Sequence, residues 1–358
     1  MFSNRAKEIM KTGVKYPLAK SSDEIDEEVK PVKLCSNENP LGPSPKAVEA
    51  LKNEAEKIGE YPDSSALELK KAISNHLSVE PNMICLGNGS DEVMDLACKA
   101  FIDPGDKCLI PTPTFSMYEI ACQVNLGEPN FVELPEFQWE KDTLLSALKD
   151  STLAFIGRPN NPTGNSMNEG DLKELLETGK PIIVDEAYGE FAEYSVVDWT
   201  KSYDNLLVLK TFSKIYGLAG IRVGYSIGNP KIIEVLERIR SPFNVNRLAQ
   251  VAAIAALEDE EFIQEVKEII INGRNHLRKE LTKLGFRVLP SDANFLMVGL
   301  QDFDTNSIKV CNYLAKQGIL VRNLANFRGA GLDWIRITVG KPSQNEKLLD
   351  ALKKFKEG

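Results

Sequence analysis

An α/β fold, with a large domain around a mostly parallel sheet and a smaller α+β C-terminal domain, is what this sequence predicts. Three observations carry the prediction. From about residue 45 to 240, short apolar runs alternate with helical patterns, the rhythm of parallel strands joined by crossover helices. Past residue 240 that rhythm gives way to a long helical stretch and then to mixed strands and helices. The chain also has 358 residues, more than one hydrophobic core usually serves.

Residues 1–44 mix charges with Pro17, Pro31, Pro40 and Pro43. They read as an extended N-terminal arm, expected to pack on the small domain and a partner subunit, with the first helix starting near Lys46. Within a large domain over 45–240, the strand candidates are MICL (83–86), KCLIP (107–111), TLAFIG (152–157), PIIVD (181–185) and NLLVLK (205–210). A small domain over 241–358 opens with a helix at 259–284, whose stripe runs through Phe262, Val266, Ile269, Gly273, Leu277, Leu281 and Leu284. FRVLP, ANFLMVGL, ILV and WIRITVG then read as strands, and 306–317 and 343–356 as helices.

Composition narrows the function classes. With 42% hydrophobic and 27% charged residues the chain is neither disordered nor fibrous. Its 43 basic and 52 acidic side chains give a net charge of -9, which argues against a nucleic-acid partner, so an anionic ligand must be gripped locally. The six cysteines form no CxxC pair and mostly sit in apolar runs. They read as small buried hydrophobes, not disulfides or metal ligands, and fit a reducing cytoplasm. No apolar run is long enough for a membrane span, and no metal site is expected.

Only His76 and His276 are available for histidine chemistry. Four polar motifs instead follow strand-like runs, where open parallel sheets build ligand sites. GNGSDE (87–92) is a Gly-rich turn into a helix, suited to a phosphate. RPNNPTGN (158–165) is a turn rich in Asn, Pro and Gly. DEAY (185–188) delivers Asp185 off an apolar strand, where a carboxylate needs a cationic or hydrogen-bonding partner. TFSKIYGLAGIRVGY (211–225) places Ser213, Lys214 and Arg222 after another strand.

Singly, each motif has an ordinary explanation as a turn, a cap or a solvent-facing lysine. Together they match the needs of pyridoxal 5'-phosphate. An aldehyde cofactor needs an amine to hold it covalently, Lys214. Its pyridine nitrogen needs an acid partner, Asp185. Asn161 and Tyr188 suit its phenolic oxygen. Gly89, Ser90 and Asp91 at a helix N-terminus, with Ser213 and Arg222, suit its phosphate.

At this point the sequence resembles the fold-type I pyridoxal-phosphate aminotransferases of class II, and within them the histidinol-phosphate aminotransferase family, over nearly the whole chain. The narrower resemblance rests on SNENPLGPSP (36–45), YPDSSALELK (61–70), GNGSDEVMDLACKAF (87–101), PTPTFSMY (111–118), NVNRLAQ (244–250) and IRITVG (335–340). It implies a homodimer in which Tyr61 reaches the partner's cofactor phosphate and Tyr16 the partner's substrate pocket. It implies that Phe115 stacks on the cofactor ring, and that Asn39, Arg322 and Arg336 bind substrate. The implied reaction is transamination between L-histidinol phosphate and 2-oxoglutarate in histidine biosynthesis, with Lys214, Asp185 and Tyr188 as catalytic residues. The alternatives are an aromatic amino acid aminotransferase, a related threonine-phosphate decarboxylase and a non-catalytic ligand-binding regulator on the same fold. Arg328, in the stretch NLANFRGAGLDW, departs from the commoner loop.

Overall fold

The computed structural model describes residues 1–12 and 31–357. The helices are α1 (Asn4–Thr12), α2 (Pro45–Glu54), α3 (Leu67–Leu77), α4 (Ser90–Phe101), α5 (Ser116–Val124), α6 (Lys141–Lys149), α7 (Glu169–Glu177), α8 (Pro230–Ile239), α9 (Arg247–Leu257), α10 (Glu260–Lys283), α11 (Ser307–Lys316) and α12 (Pro342–Glu357). The strands are β1 (Val32–Leu34), β2 (Ile84–Gly87), β3 (Lys107–Thr112), β4 (Glu128–Glu133), β5 (Leu153–Gly157), β6 (Ile182–Asp185), β7 (Leu206–Thr211), β8 (Gly224–Gly228), β9 (Arg287–Val288), β10 (Phe295–Gly299), β11 (Ile319–Asn323) and β12 (Trp334–Thr338).

Seven strands form one sheet in the order β2-β8-β7-β6-β5-β3-β4. Parallel pairing runs from β7 through β6, β5 and β3 to β4, while β8 alone is antiparallel to both its neighbours. The five apolar runs read from sequence all lie in this sheet. Two of its strands were not anticipated. β4 (EPNFVE) is only partly buried at the sheet edge and carries a proline, and β8 (GYSIG) begins and ends in glycine, so neither has a marked apolar run.

The inner strands are buried on both faces, as apolar runs without alternation require. Phe155, Ile183, Leu207 and Leu209 pack toward α4, α5 and α8. The intervening Ala154, Ile156, Ile182, Val184, Leu206 and Val208 face the other layer, which includes α2, α6, α7 and α9. Adjacent residues at the end of β6 therefore point to opposite sides of the sheet.

The second sheet has the order β1-β11-β12-β10-β9. Val266, Ile270, Leu277 and Leu281 of α10 are buried with Leu314 of α11 and Leu348 and Leu352 of α12. Ile270 takes the buried place expected of its neighbour Ile269, which is only half-buried.

The N-terminal arm is not wholly extended. Residues 4–12 form α1, because prolines begin only at Pro17 and Ser3 Oγ accepts from the Ala6 N–H at 3.1 Å as a helix start. Arg5 Nη2 donates to the Val124 carbonyl of α5 at 2.6 Å. Farther on, β1 of the arm joins the second sheet, parallel to β11. All six cysteines are buried and none is in a disulfide. Among the described residues no helix is long and apolar enough to cross a membrane.

The arm packs closely on the loop after β7 at Gly217. Gly217 has φ +69°, and a Cβ there would collide with the Gly42 carbonyl oxygen. Gly217→Ala is expected to destabilise the protein by about 1–3 kcal/mol, from the left-handed backbone and the clash together, read as a lower urea midpoint with an unchanged m-value.

Candidate active site

A cavity of about 460 Å³ opens at the carboxyl ends of β5, β6 and β7, walled on the far side by β11 and β12. Parallel sheets place their loops and helix N-termini there. Ser90, Asp91, Phe115, Asn161, Asp185, Tyr188, Ser213, Lys214, Arg222, Arg322 and Arg336 all line it.

Asp185 ends β6 and is 6% exposed. Its Oδ1 accepts from the Ala187 N–H and its Oδ2 from the Tyr118 hydroxyl, both at 2.9 Å. Burial outweighs these donors and pushes the carboxyl up from 3.8 to about 6. A carboxylate held this way favours a cationic ligand group.

Lys214 follows β7 by three residues and is half-buried. Its Nζ donates to the Ser36 carbonyl at 3.4 Å and lies 5.5 Å from the centre of the Tyr188 ring. Tyr188 Oη accepts from Asn37 Nδ2 at 2.9 Å, which leaves the phenol's own proton to donate elsewhere. Burial raises that phenol's pKa.

Asn161 is oriented by Arg336. A guanidinium only donates, so Asn161 Oδ1 must face Arg336 Nη1 and its amide Nδ2 is left as a donor. Arg336 Nη2 donates to the Cys35 carbonyl at 2.8 Å.

Arg322 and Arg336 are directly opposed across β11 and β12, and each is only 5% exposed. Arg322 stands near the end of β11 and Arg336 in the middle of β12. Two buried arginines on facing strand positions concentrate positive charge at this wall of the cavity, within an acidic protein.

The opposite end of the cavity is the start of α4, whose first backbone N–H groups lack intrahelical partners. Gly89 has φ +83°, and a Cβ there would overlap the Arg222 guanidinium; one on Gly224 would overlap the Ser90 backbone nitrogen. The two glycines thus let the Arg222 guanidinium and the first amides of α4 approach one another at the cavity edge. Arg222 donates to Ser213 Oγ at 3.5 Å and to Asp91 Oδ2 at 3.3 Å.

Other expected residues lie elsewhere. Asn39 does not line the cavity; its Nδ2 donates to the Ile215 carbonyl at 2.7 Å, supporting the Lys214 loop from outside. Tyr61 is 79% exposed and stacks on Phe243 at 4.7 Å, away from this chain's cavity. Tyr16 lies outside the described residues. Arg328 lines no part of the cavity either. It pairs with Glu119 at 2.9 Å and sits 4.0 Å from the Phe131 ring centre.

Asn37 and Tyr118 are among the cavity residues that escaped sequence reasoning. Asn37 stands two residues before Asn39 in the same SNENP motif, and only the bonding pattern separates them. Besides donating to Tyr188, it exchanges 3.0 Å bonds with Thr338 Oγ1, and its carbonyl accepts from Asn294. Tyr118 closes the PTPTFSMY motif, and no local pattern ties it to Asp185, 67 residues away.

The class I and II aminotransferase model matches residues 29–352. This chain belongs to that family. A histidinol-phosphate aminotransferase of Moorella thermoacetica is 39% identical over 90% of this chain and 85% of its own length. The crystal structure of the histidinol-phosphate aminotransferase of Clostridium acetobutylicum has a TM-score of 0.86 and 31% identity, covering 91% of this chain and 99% of that one. The fold is also that of the Sinorhizobium meliloti histidinol-phosphate aminotransferase, solved in complex with pyridoxal-5'-phosphate. There the TM-score is 0.88 at 23% identity, covering 99% of this chain and 97% of that one. The fold-type I architecture expected from the sequence is therefore the one present.

The raised Asp185 pKa has a measurable consequence. Between its ordinary 3.8 and about 6 the folded protein holds the proton more tightly than the unfolded chain, so this group costs stability as pH rises through that window. Asp185→Asn should therefore stabilise the ligand-free protein above about pH 6, by on the order of 3 kcal/mol. The advantage should shrink toward zero as pH falls to about 4. Thermal melts across that range check it.

Proposed function

We propose that this aminotransferase-family enzyme uses pyridoxal 5'-phosphate to exchange an amino group between L-histidinol phosphate and 2-oxoglutarate, giving imidazole acetol phosphate and L-glutamate. The observation that carries the substrate choice is the buried Arg322–Arg336 pair in the wall of the cavity that holds Lys214 and Asp185. One pocket must accept two amino donors. Glutamate brings a second carboxylate and histidinol phosphate a phosphate, and paired guanidinium groups bind either. The names of the relatives support the same choice.

The residues present fit the cofactor. The close packing that Gly89 and Gly224 permit brings Arg222 and the start of α4 together at the cavity, where Ser213, Arg222 and the first amides of α4 at Gly89, Ser90 and Asp91 would hold a phosphate. Asp185 suits a protonated ring nitrogen. Asn161 Nδ2 and the Tyr188 hydroxyl are left as donors for the phenolic oxygen. Phe115 borders the cavity where a ring needs cover.

When bound, pyridoxal phosphate supplies an aldehyde for the amino group and a protonated ring that draws electrons from the substrate carbon. Lys214 would hold the cofactor through its amine and, once displaced by the incoming amine, would move the proton from the substrate carbon bearing nitrogen to the cofactor's aldehyde carbon. Asp185 keeps the ring nitrogen protonated. Arg322 and Arg336 fix the far anion, so that the bond to be broken faces Lys214. Asn39 acts by supporting the Lys214 loop.

Tyr61 and Tyr16 would act across a homodimer, a reading supported by the exposed Tyr61–Phe243 aromatic pair. The cytoplasm fits six cysteines that form no disulfide. We also divide the chain into an arm (1–44), a large domain (45–240) and a small domain (241–358), a division supported by the two sheets except that β1 of the arm joins the second.

Lys214→Ala should abolish turnover and the pH-dependent absorbance of the bound cofactor; a fully active variant with unchanged absorbance would refute the proposal. Arg322→Met should lower kcat/KM for histidinol phosphate by roughly 10- to 150-fold, the loss of one charged hydrogen-bonding group. Its turnover of phenylalanine, measured alongside, should change far less. Equal losses on both donors would instead favour an aromatic amino acid aminotransferase.

A further inference from the structure

Tyr118 belongs to α5 on the layer facing β3 and β5, and its ring is buried. That ring lies flat against Phe155 of β5, with centroids 5.0 Å apart and planes 5° from parallel. Phe115, one turn earlier, meets it edge-on at 5.8 Å. Both rings therefore fix the phenol in direction as well as depth.

The hydroxyl crosses the end of β5 at Gly157. An added Cβ on Gly157 would sit 3.3 Å from Tyr118 Oη, and Gly157 is the strand partner of Asp185. The path past the glycine ends at Asp185 Oδ2, 2.9 Å away. A phenol this deeply buried keeps its proton, so it donates and the carboxylate accepts. The other carboxylate oxygen is held by the Ala187 N–H. One bond comes from the loop after β6 and one from α5, and together they fix the plane of the carboxylate.

We infer that Tyr118 is a positioning residue for Asp185: its hydroxyl holds the carboxylate in the plane and ionisation state needed to meet a protonated ring nitrogen. The inference rests on the cofactor reading above. Tyr118 touches Asp185 and not the reacting atoms, so it acts through the acid. The charged and titratable groups around the pair are Asp91 of α4, Lys214 and Tyr188.

Tyr118→Phe in the full-length, cofactor-loaded enzyme tests this, since it removes the hydroxyl and leaves the stacked ring. The expected kcat falls by roughly tenfold, the size of one hydrogen bond to a charged group, with KM within about twofold. The pH midpoint of the bound cofactor's absorbance should move upward, because a carboxylate with one donor fewer draws harder on the ring proton. Melting of the ligand-free protein should stay close to that of the parent. In an Asp185→Asn background the same change should cause no further loss of cofactor affinity.

An unchanged kcat and absorbance midpoint would overturn the inference, as would a loss of affinity that simply adds to that of Asp185→Asn. A lowered melting temperature with an unmoved midpoint would mark a packing role and overturn it too. A parent protein lacking any Lys214-dependent absorbance would overturn the cofactor reading, and this inference with it; a normal parent with an indifferent Tyr118→Phe overturns the inference alone.

Discussion

Two carboxylates buried at the end of one strand set the terms for this structure. β6 alternates its side chains between faces, so Asp185 turns toward the cavity and the next residue, Glu186, toward the opposite layer. Neither is exposed by more than 6%. Charges buried this way must be matched or the sheet will not hold them.

Behind the sheet the match is internal. Glu186 lies 3.3 Å from Lys210 of β7 and 3.8 Å from Arg158 after β5, and it accepts from the Val196 N–H at 2.7 Å. Glu190 adds a second anion, 2.9 Å from Lys210. Burial would pull the proton off Lys210, but Glu190 and Glu186 outweigh it and raise its pKa. Two cations and two anions thus clamp the ends of β5, β6 and β7, and Asn161, Asp185 and Lys214 hang from those ends. On the cavity side Asp185 is met by neutral donors, Tyr118 and the Ala187 amide, and keeps a raised pKa. The two faces of one strand end do different work: one holds the frame, the other holds a charge suited to a cationic ring.

The second sheet completes the site through the arm. Asn37 bonds Tyr188 on one side and Thr338 and Asn294 on the other, and Arg336 of β12 reaches across to Asn161. Elements far apart in sequence therefore fix the donors and the anion-binding arginines as one unit. Arg328 adds a surface link, since the stretch between β11 and β12 rests on Glu119 and Phe131 beside α5. Being half-exposed, this pair contributes little stability. It places the loop between the two arginine-bearing strands next to the helix that carries Phe115 and Tyr118.

Strand positions, the large parallel sheet and the constellation around Lys214 were legible in the sequence. The reason is that each depends on local pattern: doubly buried strands read as unbroken apolar runs, and parallel sheets gather polar residues just after them. β4 and β8 lacked such runs and were missed. Only the tertiary structure decided between Asn37 and Asn39, turned Arg328 away from the cavity, set Arg322 opposite Arg336 and brought Tyr118 to Asp185. Those choices depend on register between strands and on contacts across 67 to 301 residues of chain. No local periodicity encodes such distances.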